Sequence, residues 1–533
     1  MNNKITKIVG YHSGRHDVSY SILENGIPVI HEELERLLRV KEPPGDGLSM
    51  YFERIGKEAN VKHFTFGNIN EQGEVRGVTP EAEKMMEDVI KENSGKHWVF
   101  GHHKSHAANA FFSSNFDEAL IFTIDGGGVE EDKFATALTI WEGKDNKINL
   151  IERIPITTLN LGSPWRLYTE KIFGLSSGYP IGNQVGTVMA LACVGDPNKY
   201  YDDFYKGFIV GGGGHNPITW ENCEKYKPIA EESEQEKYDI AAAIQKATED
   251  ITRETMQGYV DKYKPNNICV SGGVSLNCLM AGKMVEWFPG IKLYADPIPY
   301  DAGICLGSSR YLWHHVLDNP RIKWEDNSTP YLGVLYDEND ILNALNETQT
   351  RYLKSTNKEV LELILNQNII SVFGGPSESG RRALGNRSIL ADPRKKEMKD
   401  IINEKVKHRQ WFRPFAPSIL REEVSNWFEH DIDSPYMSFA IKFKEEVRNK
   451  AQAVVHFDGT GRLQTVTEND NKWYYDFIKS FHMKTGVPIL LNTSFNDREP
   501  IVETPLDAIK CFKNTEIDYL YFYDYNILVK KSN

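Results

Sequence analysis

The feature that most constrains the fold is a plan that occurs twice. Residues 4–33 read as a strand (KITKIVGYH), a polar loop, a strand (VSYSIL), a turn at Asn25-Gly26 and a third strand (IPVIHEE). Asn-Gly between β-rich runs predicts a type I′ hairpin, because both turn residues must accept positive φ. Residues 118–154 repeat the order with ALIFTID, the loop GGGVEEDK, FATALTIWEG, a turn and INLIERI. Two unrelated hairpins would leave a similar trace, so the reading depends on what the loops and the intervening segments carry.

Strand, glycine-bearing loop, strand, turn, strand, in duplicate, is the layout of the actin-like ATPase fold, whose halves each aim one loop at nucleotide phosphates. The segments between fit an α/β protein. Residues 238–263 place apolar side chains at helical spacing and predict a long packed helix. A buried strand, NNICV, follows, then SGGVSLN and another helix, while residues 81–93 read as a polar, exposed helix. From Asp318 to Thr348 the composition turns polar and irregular, which marks a domain boundary. A new α/β pattern opens with EVLELILNQ and IISVFGG. The expected division is therefore an actin-like domain over residues 1–335, a duplicated RNase H-like unit, and a second α/β domain over residues 350–533.

Charge and cysteine content narrow the function classes. Lys plus Arg is 62 and Asp plus Glu is 75, a net charge of −13. Bulk electrostatic attachment to nucleic acid needs surplus cations, so that class is disfavoured, although a local basic groove is compatible. The first 17 residues lack the apolar core of a signal peptide, and no run approaches the length of a membrane helix. The six cysteines contain no C-x-x-C pair, which fits reduced thiols and a cytoplasmic location, with no membrane partner.

Three groups of residues carry chemistry. His102 and His106, in GHHKSHAANAFF, are one helical turn apart and can converge on one cation. Asp125 ends an apolar strand in IDGGG, and Asp301 follows another apparent strand in YDAGICLG. Two imidazoles and two carboxylates suit Fe(II), Mn(II) or Zn(II); surface or core histidines are the bland alternative. Gly126, Gly127, Gly272 and Gly273 remove Cβ atoms where backbone must approach a ligand, and the helix start at Asn277 offers N–H groups to phosphate. Tight turns would also explain a single glycine pair. The third group is cationic. Arg381, Arg382, Arg387 and Arg394 surround one glycine-bearing loop, followed by Lys405, Lys407, Arg409, Arg413 and Arg462, with Asn492, Ser494 and Asn496 beyond. Guanidinium forks bind phosphate bidentately, and amides and hydroxyls fix orientation. A solvated basic face or a nucleic-acid patch is the alternative, but the interleaved Gly, Pro and Phe favour a lined pocket for a small phosphorylated substrate.

Ordered blocks along nearly the whole chain carry a resemblance: HDVSYSIL, LERLLRVK, HHKSHAANAF, IDGGG, SGGVSLNC, DAGICLGSS, SESGRRALGNRSILADPR, KHRQWFRPFAPSIL, DGTGRLQTV and LLNTSFNDREPIVETPLDAI. The chain resembles the O-carbamoyltransferases of the NodU/CmcH type, which join an actin-like N-terminal domain to a YrdC-like C-terminal domain. The resemblance implies that carbamoyl phosphate binds at Arg382, Lys407, Arg413, Arg462, Asn492 and Ser494, with Arg382 and Lys407 catalytic. There it loses phosphate, and the carbamate attacks ATP to give carbamoyl-adenylate and pyrophosphate. The N-terminal domain would then pass the carbamoyl group to an acceptor hydroxyl. His102, His106, Asp125 and Asp301 match the metal ligands, expected to take Fe(II), with Mg(II) or Mn(II) accompanying ATP. His16, or Asp17 beside it, matches a position near the acceptor and is the candidate general base.

Two segments depart from the family pattern. Relatives commonly read E-G-K-x-M-G-L-A where this chain has Val185–Ala192, and E-F-G-P-R-A-L-G where it has Glu378–Gly385. The Glu and Lys missing from Val185–Ala192 bear on the acceptor side of the N-terminal site, not on the C-terminal activation site, and point to an unusual acceptor. A sugar or secondary metabolite is the broad expectation; a hydroxymethylated pyrimidine, free or in DNA, is the alternative, with DNA disfavoured by net charge. A nucleotide-dependent binding protein without catalysis and a tRNA threonylcarbamoylation-type enzyme are the competing classes. The oligomeric state, a homodimer included, is left open.

Overall fold

The computed structural model describes residues 5–14, 16–44, 48–55, 58, 60–69, 79–209, 216–323 and 330–531. Lys4 of the first expected strand and residues 324–329 of the expected boundary lie outside the described residues. The chain separates into two units, Met1–Trp324 and Glu325–Asn533, so the break falls inside the polar stretch read from the sequence.

The N-terminal unit contains the duplication. Its first sheet comprises β1 (Lys7–His12), β2 (Ser19–Glu24), β3 (Ile27–Glu33), β4 (Val61–Phe66) and β5 (Lys96–Val99), in the order β3-β2-β1-β4-β5. The three hairpin-linked strands are antiparallel, and β1-β4 and β4-β5 are parallel. Asn25 and Gly26 take φ of +51° and +85° at the β2–β3 turn, the geometry an Asn-Gly hairpin requires. After β6 (Glu118–Val129), β7 (Ala135–Lys144), β8 (Lys147–Pro155) and a small ribbon of β9 (Ser177–Gly178) with β10 (Gly182–Asn183) come β11 (Asn267–Ser271) and β12 (Lys292–Ala295). These build a second sheet, β12-β11-β6-β7-β8, with the same order and the same parallel and antiparallel senses. Two sheets of one topology make this unit an actin-like α/β fold. β1 and β11 are buried along almost their whole length, as parallel-paired strands covered on both faces should be.

Helices fill the layers between. α1 (Pro80–Glu92) buries Ala82, Met86 and Val89, which corrects the expectation of an exposed helix; an i, i+4, i+7 stripe lies beneath its charged residues. α2 (His102–Ser113) follows β5 and buries eleven of its twelve residues. α3 (Val185–Leu191) holds most of the departing segment and buries Thr187, Val188, Ala190 and Leu191. α4 (Glu234–Tyr263) is the long packed helix, capped by Ser233, whose side chain accepts from Glu236 N. α5 (Cys278–Trp287) starts at an Asn277 cap, and α6 (Ile304–Arg310) follows the turn that carries Asp301. Among the described residues no helix is long and apolar enough to cross a membrane.

The C-terminal unit is a second α/β layer built on nine strands. They are β13 (Leu353–Lys354), β14 (Ile370–Phe373), β15 (Arg387–Ala391), β16 (Ala416–Leu420), β17 (Phe439–Lys442), β18 (Thr460–Val466), β19 (Ile489–Ser494), β20 (Tyr519–Phe522) and β21 (Ile527–Lys530). The order is β13-β21-β20-β14-β15-β19-β16-β18-β17. Residues 318–348 are not irregular throughout: a helix at Glu338–Glu347 is started by an Asp337–Asp340 capping box, whose polar residues had looked like loop composition.

Candidate active site

The two repeats of the N-terminal unit bring four side chains to one point. His102 and His106 come from α2 after the last strand of the first sheet, and Asp301 from the turn after the last strand of the second. Asp125 lies on β6. One ligand atom from each of these four residues lies within 4.8 Å of the others. His102 Nε2 is 3.0 Å from Asp125 Oδ2 and 3.7 Å from Asp301 Oδ1. His106 Nε2 is 3.2 Å from Asp125 Oδ2 and 3.5 Å from Asp301 Oδ1, yet makes no aligned hydrogen bond. Burial opposes protonation of His106, but the two neighbouring carboxylates hold it up at about 9. A divalent cation in this position would satisfy both carboxylates and take the imidazole lone pairs, and an N₂O₂ donor set suits a borderline metal.

Packing explains why these donors meet. A Cβ on Gly307 would lie 1.9 Å from the Ser105 carbonyl oxygen, so α6 and α2 touch backbone to backbone. A Cβ on Gly10 would lie 2.0 Å from the Cys305 carbonyl oxygen, so α6 also sits directly on β1. Buried Arg310 donates to Asn109 Oδ1, and Asn109 Nδ2 donates to Asp296 Oδ2 at 2.6 Å, which ties α6 to α2 and to the end of β12. His103 turns away as its neighbouring position requires, with Nδ1 2.6 Å from Thr123 Oγ1 and Nε2 2.9 Å from the Thr136 carbonyl.

The glycine loops flank the same cluster. Gly126 N donates to Asp125 Oδ1 at 2.6 Å, and the Gly126 carbonyl accepts from Asn160 and Ser163. Gly127 has φ +138° and Gly272 φ +89°, where a Cβ on Gly272 would lie 2.3 Å from the Ile124 carbonyl oxygen. Gly273 approaches Asp125 so closely that its Cβ would be 3.1 Å from Oδ1. Asn277 caps α5 by accepting from Met280 N, and its amide donates to Gln245 Oε1 at 2.8 Å. His16 is half-buried, with Nδ1 2.7 Å from Asp17 Oδ2. Burial alone would lower His16, but Asp17 holds it up at about 9.

One residue escaped the sequence reading. His12 ends β1, is fully buried, and places Nε2 3.8 Å from Asp301 Oδ2. Its only signal is its place at the C-terminal end of the first strand of the duplicated plan.

In the C-terminal unit, Asn492 and Ser494 lie on β19 and Arg462 on β18, while Arg413 precedes β16. Burial, and then the Arg382 guanidinium beside it, pull Arg413 down to about 10. Arg409 is pulled down by burial and by the adjacent Arg413 and Arg462. These four guanidinium groups are thus neighbours in turn, Arg382 by Arg413, Arg413 by Arg409 and Arg409 by Arg462, a setting that suits an anion. Lys407 is buried, and its ammonium donates to the Ser494 carbonyl and to Asn496 O and Oδ1, the last two at 2.7 Å. Asn492 Nδ2 donates to Gln464 Oε1 at 2.9 Å, while its Oδ1 has no hydrogen-bond partner among the described residues.

Comparison with known proteins bears on both units. Residues 78–309 match the carbamoyltransferase N-terminus and residues 361–530 the carbamoyltransferase C-terminus. Nodulation protein NolO of Bradyrhizobium diazoefficiens is 34% identical over 436 residues, which cover 79% of this chain and 77% of NolO. The chain belongs to the carbamoyltransferase family. This carbamoyltransferase is also 26% identical to the 3'-hydroxymethylcephem-O-carbamoyltransferase of Amycolatopsis lactamdurans, over 72% of the chain and 74% of that enzyme. Among solved structures, full-length HypF in its phosphate- and nucleotide-bound form is similar over 60% of the chain and 57% of its own, at 14% identity and a TM-score of 0.36.

Proposed function

We propose that the chain is an ATP-dependent O-carbamoyltransferase that works in two half-reactions. In the first, water hydrolyses carbamoyl phosphate to carbamate and phosphate in the C-terminal unit, and the carbamate oxygen attacks the α-phosphate of ATP. Pyrophosphate leaves and carbamoyl-adenylate remains. The observation that carries this reading is the nearness of Arg382, Arg409, Arg413 and Arg462 to one another, a group of guanidiniums suited to the oxygens of a phosphorylated substrate. Asn492 and Ser494 orient the carbamoyl end, and Lys407 holds the 494–496 turn in place by donating to oxygens of Ser494 and Asn496.

In the second half-reaction the acceptor hydroxyl attacks the carbamoyl carbon and AMP leaves. His16, paired with Asp17 and held protonated by it, is placed to bind the acceptor oxygen, and takes the hydroxyl proton only after giving up its own. The Gly126-Gly127 and Gly272-Gly273 loops offer backbone N–H groups to the nucleotide phosphate. His102, His106, Asp125 and Asp301 would hold a divalent metal, Fe(II) by family resemblance, which when bound supplies Lewis acidity beside the reacting centre. The acceptor is a small molecule with a primary hydroxyl. The cephem relative, by its name, carbamoylates such a group, and the net charge of −13 weighs against duplex DNA.

The test is pyrophosphate release from ATP with carbamoyl phosphate supplied, first without acceptor and then over a panel of sugars, nucleosides and hydroxymethylated DNA. Release that disappears in Arg382→Ala is the expected result. Tight ATP binding with no turnover across the panel would favour a nucleotide-dependent binding protein, and a requirement for threonine and bicarbonate would favour threonylcarbamoyl chemistry.

A further inference from the structure

Among the described residues His12 has no hydrogen-bond partner on either ring nitrogen, although it is fully buried. An unsatisfied buried imidazole is costly, and such groups call for an explanation. Its surroundings narrow the choice. The ring stacks on Phe66 at 6.5 Å and 14°, so its plane is set, and Nε2 faces Asp301 Oδ2 at 3.8 Å. The other Asp301 oxygen, Oδ1, faces His102 and His106 at 3.7 and 3.5 Å. One carboxylate therefore presents one oxygen to the four-residue donor cluster and the other to His12.

We infer that His12 is the positioning residue for Asp301: its Nε2–H donates to Oδ2 when Oδ1 binds the metal, which fixes the carboxylate as a one-oxygen ligand. The inference rests on the reading of the cluster as a metal site. The physical basis is general. A ligating carboxylate swings between one- and two-oxygen modes, and a buried donor to the free oxygen selects one mode and removes the cost of its orphaned lone pairs. The 3.8 Å gap is too long for a hydrogen bond, so the bond closes only as the carboxylate turns toward a cation. The arrangement also uses the duplication. β1 and β6 are the first strands of the two repeats; β6 carries the ligand Asp125, while β1 ends in the residue that orients the ligand opposite.

The experiment is anaerobic equilibrium dialysis of the full chain against Fe(II), Mn(II) and Zn(II) separately, with bound metal measured directly. Three proteins are compared: wild type, His12→Phe, which keeps the ring on Phe66, and His12→Gln, which keeps an N–H donor near the Nε2 position. The expected result is affinity about 10–100-fold weaker in His12→Phe, with most of it recovered in His12→Gln. A packing role predicts the reverse order, and that order would overturn the inference. Equal affinity in all three proteins would overturn it as well, while leaving the metal site intact. No binding by the wild type to any of the three metals would overturn the metal reading itself, and this inference with it.

Discussion

His16 and Asp17 are neighbours in sequence, and neighbours share a side-chain hydrogen bond only if the backbone folds them to one side. Asp17 takes φ +59°, in the left-handed region that Asp tolerates better than most residues. Such a conformation persists where surrounding structure enforces it, and it tends to mark sites of function. If this pair serves only acceptor deprotonation, the two half-reactions separate cleanly. His16→Ala is expected to lower carbamoylation of an acceptor by about 10²–10⁴-fold, while pyrophosphate release from ATP and carbamoyl phosphate stays at the wild-type rate. Measuring both on one preparation decides it, since a general folding defect would lower both. The metal candidates were legible at this scale because H-x-x-x-H on a helix and Asp at a strand end have local signatures. His12 was not, since nothing in the dipeptide Tyr-His tells a buried orienting imidazole from an ordinary core residue.

At the scale of elements, strand order was legible and helix contact was not. The Asn25-Gly26 turn and the two glycine loops punctuate the chain locally, so the duplicated topology followed from the sequence. The closeness of α2 and α6 depends on Gly307 meeting the Ser105 carbonyl, two residues about two hundred positions apart whose meeting has no local trace. In the same way the stripe of Ala82, Met86 and Val89 lay hidden under the charge of α1. The glycine contact yields a prediction. Gly307→Val places a Cβ where only 1.9 Å is free against backbone, so α6 must move off α2, carrying Asp301 away from His106. The expected cost is about 1–3 kcal/mol of stability, with metal affinity lost at temperatures where the chain is still folded. Thermal unfolding and metal binding measured together check this; a destabilised variant that bound metal normally would mean the donors do not depend on that contact.

For the whole molecule, composition bounded the class but could not locate the charges that matter, because a net −13 conceals four neighbouring guanidinium groups and several imidazoles buried away from water. Those imidazoles set the response to acid. Burial pulls His314 down to about 4 and His103 to about 3, whereas an unfolded histidine titrates near about 6.5. Between these values the unfolded chain binds a proton that the folded chain refuses. Their contribution is therefore complete above about pH 6.5 and is lost as pH falls toward 4. Asp296 works in the opposite sense: burial pushes it up to about 6, so the folded chain holds a proton there and gains stability as pH falls from 6 toward the normal carboxylate range. His16 and His106, held up at about 9, act in the same sense as Asp296, whereas His314 and His103 lose stability on acidification from pH 7 to pH 5. His314 isolates one contribution, since it packs on the Phe112 ring at 4.7 Å and lies away from the metal cluster. Replacing it by Phe keeps an aromatic contact and removes the titration. The change in unfolding free energy from pH 7 to pH 5 should then be about 2 kcal/mol more favourable to the fold than in wild type, whatever the variant's stability at pH 7. Urea unfolding of both proteins at the two pH values measures that difference, and an identical change in both proteins would mean that His314 accepts its proton within the fold.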